Sequence, residues 1–80
     1  MNDVESLILK SLCTGLGEGN SNIDKLTKQL TEYFPERDTK ELKKEIIEKL
    51  GEMVSSGQMQ IITNGWEIGY EFFYICSKRL

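Results

Sequence analysis

The sequence predicts an α+β domain in which three helices precede a C-terminal β-hairpin. Three observations lead there. Apolar residues recur at helical spacing through the first two thirds of the chain, the period changes to two after Gly57, and Asn64-Gly65 lies between two alternating stretches. Eighty residues, 39% hydrophobic and 29% charged, make one ordinary globular domain, 1–80. At that size a single core barely suffices, so a second subunit or a partner is expected to share in stability.

The first helix is expected over about 3–14, where Val4, Leu7, Ile8, Leu12 and Leu16 form one stripe and Asn2 with Glu5 fits a capping box. It ends in "TGLGEGNSN", residues 14–22, which reads as a loose connection. A second helix is expected over about 22–34. Ser21 caps it, Asp24 suits the positive end of the helix dipole, and Pro35 stops it. Its buried face is Ile23, Leu26, Leu30 and either Tyr33 or Phe34. The third helix, about 39–56, starts at the Asp38 and Glu41 cap pair and ends at Gly57.

The hairpin occupies about 58–77. Met59 and Ile61 alternate with glutamines, and Trp66, Ile68, Tyr70, Phe72, Tyr74 and Cys76 share one side of the returning stretch. Asn64-Gly65 suits a type I′ turn, and a six-residue loop "NGWEIG" fits as well. Tyr70, Phe72 and Tyr74 compete with Phe73 and Ile75 for a sheet covered on one side. One set is therefore expected to be exposed or to meet another subunit.

Composition narrows the chemistry. There is no histidine, which removes Cys2His2 zinc sites and histidine-activated nucleophiles. Cys13 and Cys76 lie far apart without CxxC spacing and are expected to be buried reduced thiols. No metal or cofactor is expected. The carboxylates show no pair apart from the helix pattern, and the glycines of "GLGEG" follow a helix rather than a strand, so the chain is expected not to be an enzyme. No apolar run reaches the roughly 20 residues of a membrane span. The start, "MNDVESLILKSLC", carries acids where a secretory signal carries Lys or Arg. A cytoplasmic protein without membrane contact is expected.

The order helix, helix, helix, hairpin, with "ELKKEIIEKLGEMVSSGQMQII" leading from the third helix into the first strand, resembles the winged helix-turn-helix family. The third helix of that family typically ends in L-x-x-L-x-x-x-G before a strand. Leu50, Met53, Val54 and Gly57 stand in for that pattern, and "YEFFYIC" resembles the returning wing strand. The resemblance covers nearly the whole chain. It implies a third helix that enters the DNA major groove and a wing that touches the backbone.

On a helical wheel at about 100° per residue, Leu42, Ile46, Leu50 and Met53 form the buried stripe. Lys40, Lys43 and Lys44 fall on one flank, and Glu41, Glu45, Glu48 and Glu52 on the other. Thr39, Lys40, Lys43 and Lys44 are the expected duplex contacts. Lys25, Lys28 and Arg37 extend the basic side, and Asn64 adds a wing contact. The opposing account is a solvated face whose charges pair along the helix, Lys44 to Glu48 and Glu45 to Lys49. A net charge of −3 and a wing, "TNGWEIG", with Glu67 and no Lys or Arg also weigh against DNA. The primary expectation is a small dimeric transcription regulator. The alternative is an acidic protein-interaction module, an accessory or inhibitor protein of phage or mobile-element type, that meets a partner through Trp66, Tyr70 and Phe73.

Overall fold

The computed structural model describes residues 3–62 and 71–77. In chain order these form α1 (Val4–Leu12), β1 (Glu18–Asn22), α2 (Ile23–Thr31), α3 (Thr39–Ser55), β2 (Met59–Ile62) and β3 (Glu71–Cys76). The strands make one antiparallel sheet in the order β1-β3-β2. The architecture is therefore α+β, three helices on one face of a three-stranded sheet.

Each helix begins at a side chain that satisfies an orphan amide. Asp3 accepts from Ser6 N at 2.7 Å, Asn22 accepts from Lys25 N at 2.7 Å, and Asp38 accepts from Lys40 N at 3.4 Å. The bond from Ser6 holds the Asp3 carboxyl below its ordinary range. The caps at Asp3 and Asn22 correct the sequence expectation, which placed them at Asn2 and Ser21. Ser21 is instead a buried strand residue opposite Phe72. The stripe of α1 is buried at Val4, Leu7, Ile8 and Leu12, whereas Leu16 lies beyond the helix and is 78% exposed. On α2 the buried face is Ile23, Leu26, Thr27 and Leu30. Past its end, Phe34 packs against the core and Tyr33 is exposed.

The exit of α3 is a Schellman motif. Gln58 N donates to Met53 O at 2.9 Å and Gly57 N donates to Val54 O at 3.1 Å, with Gly57 at φ +81°. This turn launches β2 so that Met59 drops into the core.

The stretch expected to be loose contains β1. Glu-Gly-Asn-Ser-Asn has little intrinsic strand preference. It is a strand because β3 offers it a free edge: Glu18 pairs with Ile75, Asn20 with Phe73 and Asn22 with Glu71. Gly19 lies opposite Tyr74, where an added Cβ would sit 3.4 Å from the phenol oxygen. The central position of β3 also resolves the competition between its two faces. Phe72 is buried against the helices, and Tyr74 and Cys76 pack beside it. Phe73 and Ile75 point to the opposite face, half-buried between β1 and β2. Trp66, Tyr70, Asn64 and the hairpin turn lie outside the described residues.

Cys13 and Cys76 form a disulfide, with Cα atoms 5.7 Å apart, which overturns the expectation of reduced thiols. The two residues meet because Cys13 is the C-cap of α1 and Cys76 ends β3. The amide of Cys76 donates to Gly17 O at 2.7 Å, which draws the Gly15–Gly17 turn over the same corner. Closing a sequence separation of 63 restricts the unfolded chain by about 4 kcal/mol in the chain-entropy account. That is a large share of the stability of so small a domain. Reduction with dithiothreitol is therefore expected to lower the melting temperature by roughly 15–30 °C in thermal circular dichroism. An unchanged midpoint would show that the bridge is energetically idle.

Candidate nucleic-acid interface

The helix pair α2 and α3 is joined by residues 32–38, and Arg37 fixes that connection. Its guanidinium donates to Glu45 of α3 at 2.5 Å and lies 5.5 Å from the centre of the Phe34 ring. The bond to Glu45 raises the Arg37 pKa further above its already high ordinary value. Arg37 is thus a clasp between the turn and α3. It does not extend a free basic surface.

Leu42, Ile46, Leu50 and Met53 are buried, which turns the opposite side of α3 outward. Lys40, Lys44 and Gly51 lie along that outward stripe, with Ile47 half-buried at its edge. Lys40 and Lys44 are exposed and make no ion pair among the described residues. At Gly51 an added Cβ would meet nothing within 4 Å, so the outer surface of α3 is flat there. The first two turns of α3 carry Lys40 and Lys44 with the exposed Glu41 beside them, and beyond them Glu48 and Glu52 flank Gly51 in a shallow depression completed by Ser55 and Ser56. The expected pairs Lys44 to Glu48 and Glu45 to Lys49 do not occur. Glu45 bonds Arg37, and Lys49 approaches Glu52 at 3.6 Å.

A groove of about 450 Å³ runs between α2 and α3, lined by Asp24, Thr27, Lys28, Thr31, Glu32, Thr39 and Lys43. Thr27 is buried and donates to Ile23 O at 2.7 Å, while Thr31 donates to Thr27 O at 2.8 Å, so both hydroxyls turn back onto α2. The fold thus gathers Thr39, Lys43 and Lys28 in one place, with Lys25 exposed on the same helix as Lys28. It also brings carboxylates among them. Lys43 Nζ donates to Asp24 Oδ1 at 2.5 Å, with 19% of the lysine side chain and 52% of the aspartate side chain exposed. Lys43 is therefore unlike Lys40 and Lys44, since its charge already has a partner on α2. Asp24 is the residue that sequence reasoning missed. Its place in the first turn of α2 marked it only as a dipole partner, and a pairing across 19 residues leaves no periodic trace.

Of the residues expected to meet a partner, only Phe73 is among the described residues, and it lies on the outer sheet face. That face presents Ile62, 66% exposed, beside Phe73 and Ile75, with Gln60, Asn20, Glu18 and Glu71 around them. No described group of histidine, cysteine and carboxylate side chains has the arrangement to hold a metal ion, and no described helix is long and apolar enough to cross a membrane. No protein-family model, curated protein or solved structure matches the chain.

The Lys43–Asp24 pair is half-exposed, where ion pairs contribute little. Asp24→Asn and Lys43→Ala are each expected to change unfolding free energy by less than about 1 kcal/mol in urea titrations. A loss of several kcal/mol would instead make the pair a structural element of the α2–α3 packing.

Proposed function

We propose that this chain is a winged helix-turn-helix domain that acts as a small DNA-binding transcription regulator, with α3 in the major groove. The element order α1-β1-α2-α3-β2-β3 and the sheet order β1-β3-β2 support the fold assignment, with β2 and β3 as the strands of the wing. The functional reading rests on one observation. The first two turns of α3 carry Lys40 and Lys44 outward, without ion-pair partners among the described residues.

Physical chemistry connects this surface to duplex DNA. A major groove about 12 Å wide admits one helix, whose first turns would bring Lys40 and Lys44 to the phosphates and base edges. Lysines that neutralise phosphates release counterions, which supplies most sequence-independent affinity. Because the chain carries a net charge of −3, attraction must come from this local patch, and binding should depend steeply on salt. Thr39 and Lys28, which line the adjoining groove, and Lys25, exposed on the same helix as Lys28, would serve as further phosphate contacts. The role is one of binding, without a catalytic step.

A second reading draws on the outer sheet face. Ile62, Phe73 and Ile75 form an apolar centre whose charged neighbours among the described residues, Glu18 and Glu71, are acidic, and this arrangement favours contact with a protein, either a second copy of the chain or another partner. Sedimentation velocity across protein concentration tests the homodimer. An Ile62→Lys variant should remain monomeric at concentrations where the parent chain associates.

The DNA reading is tested by fluorescence anisotropy of a labelled mixed-sequence duplex at ~50 and ~200 mM salt. Lys40→Ala/Lys44→Ala is expected to weaken binding at ~50 mM more than tenfold and to reduce the salt slope by about 1.8, the effect of two lost phosphate contacts. Absence of binding by the parent chain at ~50 mM would leave the protein-contact reading in place.

A further inference from the structure

Asp24 of α2 pairs with Lys43 of α3 across the groove between the two helices. In helix-turn-helix docking the second helix of the pair lies in the groove while the first crosses the backbone. In the docking proposed above, the groove between α2 and α3 would face a phosphate strand. Inside it the Lys43 ammonium, only 19% of whose side chain is exposed, donates to a carboxylate oxygen of Asp24 from the facing helix. A carboxylate is an anionic oxygen acceptor like a phosphate, so the two compete for one ammonium. Asp24 is the more solvated partner, with 52% of its side chain exposed. It also stands in the first turn of α2, where backbone amides and the helix dipole favour an anion.

From this geometry we infer that Asp24 is an intramolecular brake on nucleic-acid binding, a carboxylate that keeps Lys43 paired in the bound chain as in the free one and so withholds it from the phosphate backbone. The inference rests on the DNA-binding reading above and adds to it a residue that sets affinity and salt dependence. It separates the lysines of α3 into two kinds. Lys40 and Lys44 attract phosphate directly, whereas Lys43 contributes only when the Asp24 carboxylate is removed. Lys43→Ala in the parent chain should accordingly change affinity less than about twofold.

The decisive comparison uses the same labelled duplex at ~50 and ~200 mM salt. The variants are Asp24→Asn, Asp24→Ser, Asp24→Asn/Lys43→Ala and Glu18→Gln. Glu18 lies at the far end of β1 from α2 and controls for the loss of one negative charge anywhere on the chain. Release of the brake adds one phosphate contact and steepens the salt slope by about 0.9. The gain of Asp24→Asn should then be between about three- and fourfold larger at ~50 mM than at ~200 mM. Asp24→Ser should behave alike, Glu18→Gln should leave the slope unchanged, and the double variant should lose the gain. Melting temperatures confirm that each variant is folded.

Three results would overturn the brake. They are a gain for Asp24→Asn no larger than that of Glu18→Gln, an unchanged slope, or a gain that survives in the double variant. Binding that Lys40→Ala/Lys44→Ala abolishes but Asp24→Asn does not improve overturns the brake alone. No binding by the parent chain or by Asp24→Asn at ~50 mM overturns the DNA reading and the brake together.

Discussion

Strand β3 is restrained on every side, and the remaining elements take their positions from it. Its edges pair with β1 and β2, its inner face sends Phe72 into the helical core, and its end is bonded to α1 through Cys13 and Cys76. A central strand saturated in this way has no free hydrogen-bonding edge among the described residues. It also converts a polar, glycine-containing stretch into a strand, because the free edge of β3 satisfies the amides of residues 18–22 more completely than water at a closing corner would. The disulfide acts at the same corner. It ties the start of the helical layer to the end of the sheet, so the two layers cannot separate without unfolding. A domain of 80 residues has little core to hold its layers together, and one covalent link between them replaces part of the apolar area it lacks.

With the sheet fixed, α3 has one orientation open to it. Four apolar side chains at Leu42, Ile46, Leu50 and Met53 are buried, and the Schellman turn at Gly57 connects the helix to β2 without slack. The outward stripe follows from that burial. Charges on α3 are then sorted by what lies across from them. Glu45 faces Arg37 and closes the turn, Lys43 faces Asp24 across the groove, and Lys40 and Lys44 face solvent. An acidic chain thereby presents a local basic surface at the start of one helix, over the first two turns only. Among the described residues, the outer sheet face is apolar at its centre and acidic at its edge, in contrast to the lysines at the start of α3.

The three helices, their caps to within a residue or two and the hairpin strands were legible because each is a local property. Burial periodicity, capping side chains and positive-φ glycines act within a few positions of one another. The exceptions share a cause. Strand β1 was hidden because Glu-Gly-Asn-Ser-Asn has no strand pattern of its own. The disulfide was hidden because cysteine spacing carries no information about which ends of two elements meet. Arg37 and Lys43 were read as free basic residues because their partners, Glu45 and Asp24, are 8 and 19 positions away on surfaces brought together by the turn.

By itself, the sequence determined which segments are helical, which face of each helix is apolar, and that a segregated row of lysines lies on α3, since these depend on spacing along one chain. Only the tertiary structure decided which of those lysines keep a free charge, which face of β3 is buried, and that the cysteines are joined. Those outcomes depend on the distance between residues remote in sequence, and that distance is set by the packing of the helices on the sheet.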